Sequence, residues 1–178
     1  MYRCLTHYSL ILGMICLLSA CGFQLRGTGV GGTALPEAWK SMYLVTNNPN
    51  SEFSREVSAL FAANGVIWTE ERESASFSLV LEPERFEQRN LSLNSEARVA
   101  EFELTMSAQF SVLDAQKTEA IPPTAVSVVK RMQNNPRNVV GTSGEIEILR
   151  VESRTELAQQ ILQRVSFFAA VTTRANSQ

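Results

Sequence analysis

The residue of this chain best placed to undergo chemistry is Cys21, which directly follows Leu18-Ser19-Ala20. Arg3 stands near the start, an apolar run covers Leu10 to Leu18 (LILGMICLL), and small residues lead into the cysteine. A charged start, a short apolar core and a small-residue cleavage site make a secretory signal over residues 1–20. A thiol at the first position after the cut is what a bacterial lipoprotein signal requires. There the Cys21 thiol takes a diacylglyceryl group, and cleavage leaves it as the new first residue. The apolar run is too short to span a hydrocarbon layer of about 30 Å.

Other reactive constellations are sparse. Cys4, Cys16 and the only histidine, His7, lie inside the signal. The mature chain then has one thiol and no imidazole, which excludes an internal disulfide, a histidine-based triad and a histidine-ligated metal site. No cofactor, metal or catalytic residue is expected. Glu101 and Glu103 are paired carboxylates on one strand face, roughly 6.6 Å apart at two strand steps, a separation that glycosidases use. With no cleft suggested around them, they read as a solvated face. Glu70-Glu71-Arg72-Glu73 is a charged loop, and the glycines of residues 27–32 lack the lysine of a phosphate cradle. Two basic groups remain as candidates for binding anions: Lys130, Arg131 and Arg137 near the end of the last strand, and Arg85, Arg89 and Arg98 around the preceding hairpin. The mature balance is 15 basic against 18 acidic residues, which leaves no electrostatic footprint for nucleic acid.

The elements that must position these groups are legible in part. Residues 21–34, including GTGVGGT, predict a flexible tether. Ser41 to Thr46 predicts a short first strand, and Phe53, Val57, Leu60 and Phe61 give a helix from about Ser51 to Asn64 its apolar stripe. Gly65 supplies the left-handed stop, and Val66 to Trp68 extends toward the sheet. Trp39 and Trp68 fit core or interface equally. Phe77 to Phe86 reads as the second strand, with Pro83 marking an edge or bulge, and Gln88 to Glu96 as a loop or hairpin tip. From Ala100 to Val112 every even position is apolar. That strict period of two predicts a strand of about 40 Å with one buried and one wet face. Asp114 to Pro123 reads as a turn, and Thr124 to Gln133 as the fourth strand, its alternation broken by Lys130. Thr142 and Glu145 have capping-box spacing before a helix from Glu145 to about Ala170. Residues 172–178 read as a loose tail.

The order β-α-β-β-β-α predicts an α+β two-layer sandwich over residues 35–171, a four-stranded mixed sheet with two helices on one face. The first helix crosses between neighbouring or near-neighbouring parallel strands. The other sheet face is polar but mostly uncharged, which suits a partner surface as well as water.

Taken in order, these residues resemble the LptE family of lipopolysaccharide-assembly lipoproteins. The resemblance rests on Cys21-Gly22-Phe23-Gln24-Leu25-Arg26-Gly27, Leu35-Pro36, Asn64-Gly65, Ala100-Glu101-Phe102 and Asn135-Pro136. It implies a non-enzymatic lipoprotein of the outer membrane that plugs an LptD-type β-barrel, helps it assemble and contacts lipopolysaccharide. Gly22 fits that location, since Asp there would favour retention in the inner membrane. Positions that carry basic residues in some relatives fall here on Ser95 and Thr142, so lipopolysaccharide contact falls to Arg89, Arg98, Lys130, Arg131 or Arg137. The alternative is a periplasm-facing lipoprotein that binds an anionic lipid or glycolipid without a barrel. For the anchor, Cys21→Ser is expected to release the protein to the periplasm or leave it uncleaved in the inner membrane, as membrane fractionation would show. Persistence in the outer membrane would mean that protein contacts dominate over the lipid.

Overall fold

The computed structural model describes residues 35–135 and 137–175. Cys21, the signal and the glycine-rich tether lie outside the described residues, as do residues 176–178 of the expected tail. The elements are β1 (Ser41–Thr46), α1 (Glu52–Ala63), β2 (Ile67–Trp68), β3 (Phe77–Leu81), β4 (Arg85–Leu93), β5 (Val99–Asp114), β6 (Glu119–Gln133) and α2 (Val139–Ala175).

The long period-two strand organises the rest. Along one edge β5 pairs antiparallel with β6, from Glu101↔Gln133 to Leu113↔Glu119. Its other edge is divided. β3 pairs with residues 110–114 and β4 with residues 99–107. β1 lies parallel to β3, with β2 parallel to β1 beyond it, so α1 connects parallel strands as expected. The sheet is therefore mixed, five strands wide at one end and three at the other, β4–β5–β6.

Six strands replace the expected four among the described residues, and the reason lies at Pro83. Four steps from Leu81 to Arg85 oppose three steps from Phe110 to Ser107 on β5. That is a bulge, placed where proline cannot donate a ladder hydrogen bond. One extra residue exchanges the faces. Phe77, Leu79 and Leu81 lie on the helix side of β3, whereas Phe86 and Gln88 do so on β4, opposite Met106 and Leu104. The polar stretch expected as a loop is consequently strand, closed by a turn in which Asn94 Oδ1 accepts the amides of Glu96 and Arg98.

Two further boundaries move. The expected Asp114–Pro123 turn contracts to residues 115–118. Asp114 Oδ1 accepts the Thr118 amide there, and Lys117 takes φ +64°. Pro122 and Pro123 belong to β6, an edge strand, and fall at a bulge where three steps from Ile121 to Thr124 oppose two from Val112 to Phe110, so no ladder donor is needed there. α2 starts at Val139 rather than Glu145, because Asn138 and not Thr142 is the cap. Asn138 Oδ1 accepts the Gly141 amide at 3.1 Å, and the Thr142 hydroxyl donates back to the Asn138 carbonyl. The helix then runs 37 residues, about 55 Å, and its last turns occupy residues 172–175.

The core forms between the even face of β5 and the two helices. Phe53, Val57 and Phe61 of α1 and Leu157, Ala158, Ile161, Leu162 and Val165 of α2 are buried with Met106, Phe110 and Val112. Ser51 caps α1 by accepting the Ser54 amide, and Gly65 at φ +91° ends the chain's helical path. Trp39 is core: its ring stacks on Phe77 with centroids 3.9 Å apart. Trp68 is half-buried and donates its indole N–H to the Ser58 carbonyl. Phe110 is 1% exposed where β3, β5 and β6 meet, so Phe110→Ala is expected to cost about 3–5 kcal/mol in a urea unfolding titration.

Candidate functional site

The groups capable of polar recognition gather on the helix-free face of β4–β5–β6. β5 carries Glu101 and Glu103 there because even positions are committed to the core. The register places Arg89 of β4 and Arg131 of β6 directly on either side of Glu103. Arg89 Nη2 lies 2.5 Å from Glu103 Oε1, and Arg131 Nε 3.5 Å from Oε2. The carboxylate is 10% exposed and the two arginine side chains 69% and 70%. A single shielded acid thus holds two guanidinium groups upright with most of their donor edges in solvent. Glu101 Oε2 accepts the Ser92 hydroxyl at 2.9 Å. Glu103 is committed to two arginines and Glu101 to this hydroxyl, so the pair is structural cross-strand chemistry rather than an acid and a base over a cleft.

The five basic residues expected to meet an anion do not form one cluster. Arg89 and Arg131 come together. Arg98 stands in the β4–β5 turn with its guanidinium 3.7 Å from Glu96. Arg137 follows β6, its amide donating to Asn135 Oδ1. Both lie at the three-stranded end, where Asn134 fastens β6 to the start of β5: its amide donates to the Ala100 carbonyl and its Nδ2 to that of Val99.

Lys130 is on the opposite face. Its partner across the ladder is Leu104, and its ammonium pairs with Glu156 and Glu152 of α2. The broken alternation at this position therefore marks a latch between β6 and α2. The hydrogen bond to Glu156, with the charges of Glu156 and Glu152, raises the Lys130 pKa above its ordinary value.

A second half-buried cation was not singled out by the sequence. Arg154, 12% exposed, pairs with Glu52 of α1 at 2.6 Å and with Glu84 in the bulge at 3.5 Å. It ties α2 to both neighbours. The signal was available: position 154 precedes Ala158 and Ile161 by four and seven, so it continues the buried stripe. Arg150, one turn earlier, lays its guanidinium 4.4 Å above the Phe86 ring.

Two open depressions accompany these features. One of about 380 Å³ lies between α1 and α2 near Glu56 and Val151. Another of about 420 Å³ lies beside the bulge, near Pro83, Ser107 and Gln109. Among the described residues no three His, Cys, Asp or Glu side chains gather to hold a metal ion, and no helix is long and apolar enough to cross a membrane.

The comparisons with known proteins fit this geometry. The family model described as lipopolysaccharide-assembly LptE matches residues 39–165. The LPS-assembly lipoprotein LptE of Pectobacterium atrosepticum is 26% identical over 160 residues, covering 89% of this chain and 84% of its own. That of Yersinia pestis is 27% identical over 161 residues, covering 88% and 74%. Among solved structures, the rare lipoprotein B of Shewanella oneidensis superposes with a TM-score of 0.64 at 26% identity, over 76% of this chain and 96% of that one. Lipoprotein B of Nitrosomonas europaea reaches 0.70 at 23% identity, over 84% and 93%, and supports the fold.

The latch gives a pH signature. A lysine whose folded pKa exceeds its unfolded value of 10.5 stabilises fully below pH 10.5 and loses that contribution as pH rises through the folded value. Lys130→Met is therefore expected to be less stable than the parent at pH 8. The difference should close above pH 10.5, measured by denaturant titrations across that range.

Proposed function

Since the chain belongs to the LptE family of lipopolysaccharide assembly, we propose that it is an outer-membrane lipoprotein, acylated at Cys21, that complexes with and plugs an LptD-type β-barrel. In this role it assists the barrel's assembly and the delivery of lipopolysaccharide to the outer leaflet. The observation that carries the reading is the helix-free sheet face. On β5 it presents Thr105, Ser107, Gln109 and Ser111, uncharged residues that can lie against a barrel wall without leaving a buried charge unpaired. The narrow three-stranded end continues this face as a projecting blade.

The basic residues divide between two tasks in this reading. Arg89 and Arg131, with Arg98 and Arg137 beyond them, are exposed where a phosphorylated glycolipid would meet the blade. Lys130 serves the fold. Charge-assisted pairing with phosphate is the natural use of guanidinium groups held upright by a shared acid.

Copurification tests both parts. The acylated protein, captured from detergent-solubilised outer membranes, is expected to bring a large β-barrel with it, and recovery of the protein alone would overturn the proposal. Arg89→Glu combined with Arg131→Glu is expected to keep the barrel but weaken lipopolysaccharide retention at least tenfold, the equivalent of about 1.4 kcal/mol. Loss of lipopolysaccharide handling with no barrel ever recovered would instead support a barrel-free lipid binder.

A further inference from the structure

The last turns of α2 carry an apolar patch that the described fold leaves uncovered. Phe167 is 67% exposed, Phe168 37% and Val171 48%. The two rings meet edge to face with centroids 6.1 Å apart, and Val171 is three and four positions further on, so the three side chains share one stretch of helix surface. The charges around them are of one sign. From Leu157 to the end of the sequence there are two arginines, Arg164 and Arg174, and no acidic residue. Both arginines are exposed, one turn before Phe168 and one turn after Val171. The opposite end of α2 also exposes Val140 and Ile148, but among Glu145, Glu147 and Glu152.

Strand directions locate this patch. β1 is parallel to β3, β3 antiparallel to β5, and β5 antiparallel to β6, so β1 and β6 run the same way. α2 runs against β6, since Lys130 meets Glu156 and the earlier Ser127 meets the later Gln160. Its C-terminal end therefore lies where β1 begins. Leu35, six residues before β1, is buried, and Trp39 after it stacks on Phe77 at the start of β3, opposite the start of β1. The chain thus leaves the described fold at the end that bears the aromatic patch. Cys21 is 14 residues upstream, a reach of about 50 Å fully extended and about 20 Å as a flexible coil.

We propose that this end of α2 rests in the interface of an anionic phospholipid membrane, with Phe167, Phe168 and Val171 entering the boundary between headgroups and acyl chains. The proposal rests on the reading of Cys21 as acylated. An apolar helix face bordered by cations and free of acids has the composition of an interfacial helix. Arg164 and Arg174 meet the anionic headgroups. The acyl chain holds the patch at high effective concentration near the bilayer, so three side chains suffice as a second contact.

The test places a nitroxide on the acylated mature protein through Phe168→Cys or, in a second variant, Val171→Cys. Cys21 is capped by lipid, so the introduced thiol is the only free one. In vesicles of phosphatidylethanolamine with a minority of phosphatidylglycerol, both labels are expected to collide several-fold more with oxygen, and several-fold less with a water-soluble nickel chelate, than a label at Val129→Cys on the helix-free face. Reversing Arg164 and Arg174 to glutamate is expected to diminish the contrast. Circular dichroism verifies that each variant is folded. Equal nickel access at all three positions, on protein that carries the acyl mass and floats with the vesicles, overturns the membrane contact while leaving the anchor intact. Protein that lacks the acyl mass and fails to float overturns the reading of Cys21 and the proposal with it. Protection that arises only when a β-barrel is present overturns the proposal in favour of a protein contact.

Discussion

A β-strand has two hydrogen-bonding edges, and in this protein one strand must serve three partners. β5 meets that constraint by length. Its 16 residues give β6 the whole of one edge and divide the other between β3 and β4. The bulge at residues 82–84 is the junction of that division, and much else follows from it. The faces of β4 are exchanged relative to β3, Glu84 is turned toward Arg154, and the sheet narrows from five strands to three. The broad end carries the crossover helix and most of the core. The narrow end leaves a ladder of cross-strand pairs with one face open to solvent.

The two faces treat charge differently. On the helix side each prominent cation is matched to acids on another element or, for Arg150, to an aromatic ring: Lys130 to Glu152 and Glu156, Arg154 to Glu52 and Glu84. On the open side Arg89 and Arg131 share one carboxylate between them. The carboxylate is 10% exposed and draws its counter-charge from both arginines, and the shared acid acts on them in turn. Its effect is geometric. Two guanidinium groups that would otherwise wander are held on the two strands that flank β5, with donor edges outward.

Sequence patterning reached those parts of the fold where a local rule and the tertiary environment agree. Ser51 and Gly65 bound α1 because cap chemistry is decided by a few neighbouring backbone groups. The alternation from Ala100 to Val112 was legible because one face of β5 is wholly buried. β4 was not, because Gln88, Arg89 and Asn90 have no strand-forming character of their own and are held in place by the partner edge. A period of two also cannot survive an inserted residue, so reading through Pro83 joined two strands into one. For the site, residue type identified the arginines but not their grouping. Arg131 and Lys130 are adjacent in sequence and on opposite faces of the sheet, a distinction that depends on β6 keeping the register of β5.

That register also gives the molecule a direction. Since β1, β3 and β6 run one way and both helices the other, the chain joins the fold and α2 finishes at the same end. Glu103 with its arginines lies about 35 Å away, eleven strand steps from Asp114. The helix that spans this distance changes character along its length: acidic residues accompany its first half, where Lys130 finds its counter-charges, and none follows Glu156. Acidic charge on α2 is thus confined to the more exposed half that meets Lys130 and is absent from the half that packs into the core. An end without acids tolerates an anionic surface, whereas the blade at the other end presents two arginines in register with most of their donor edges in solvent.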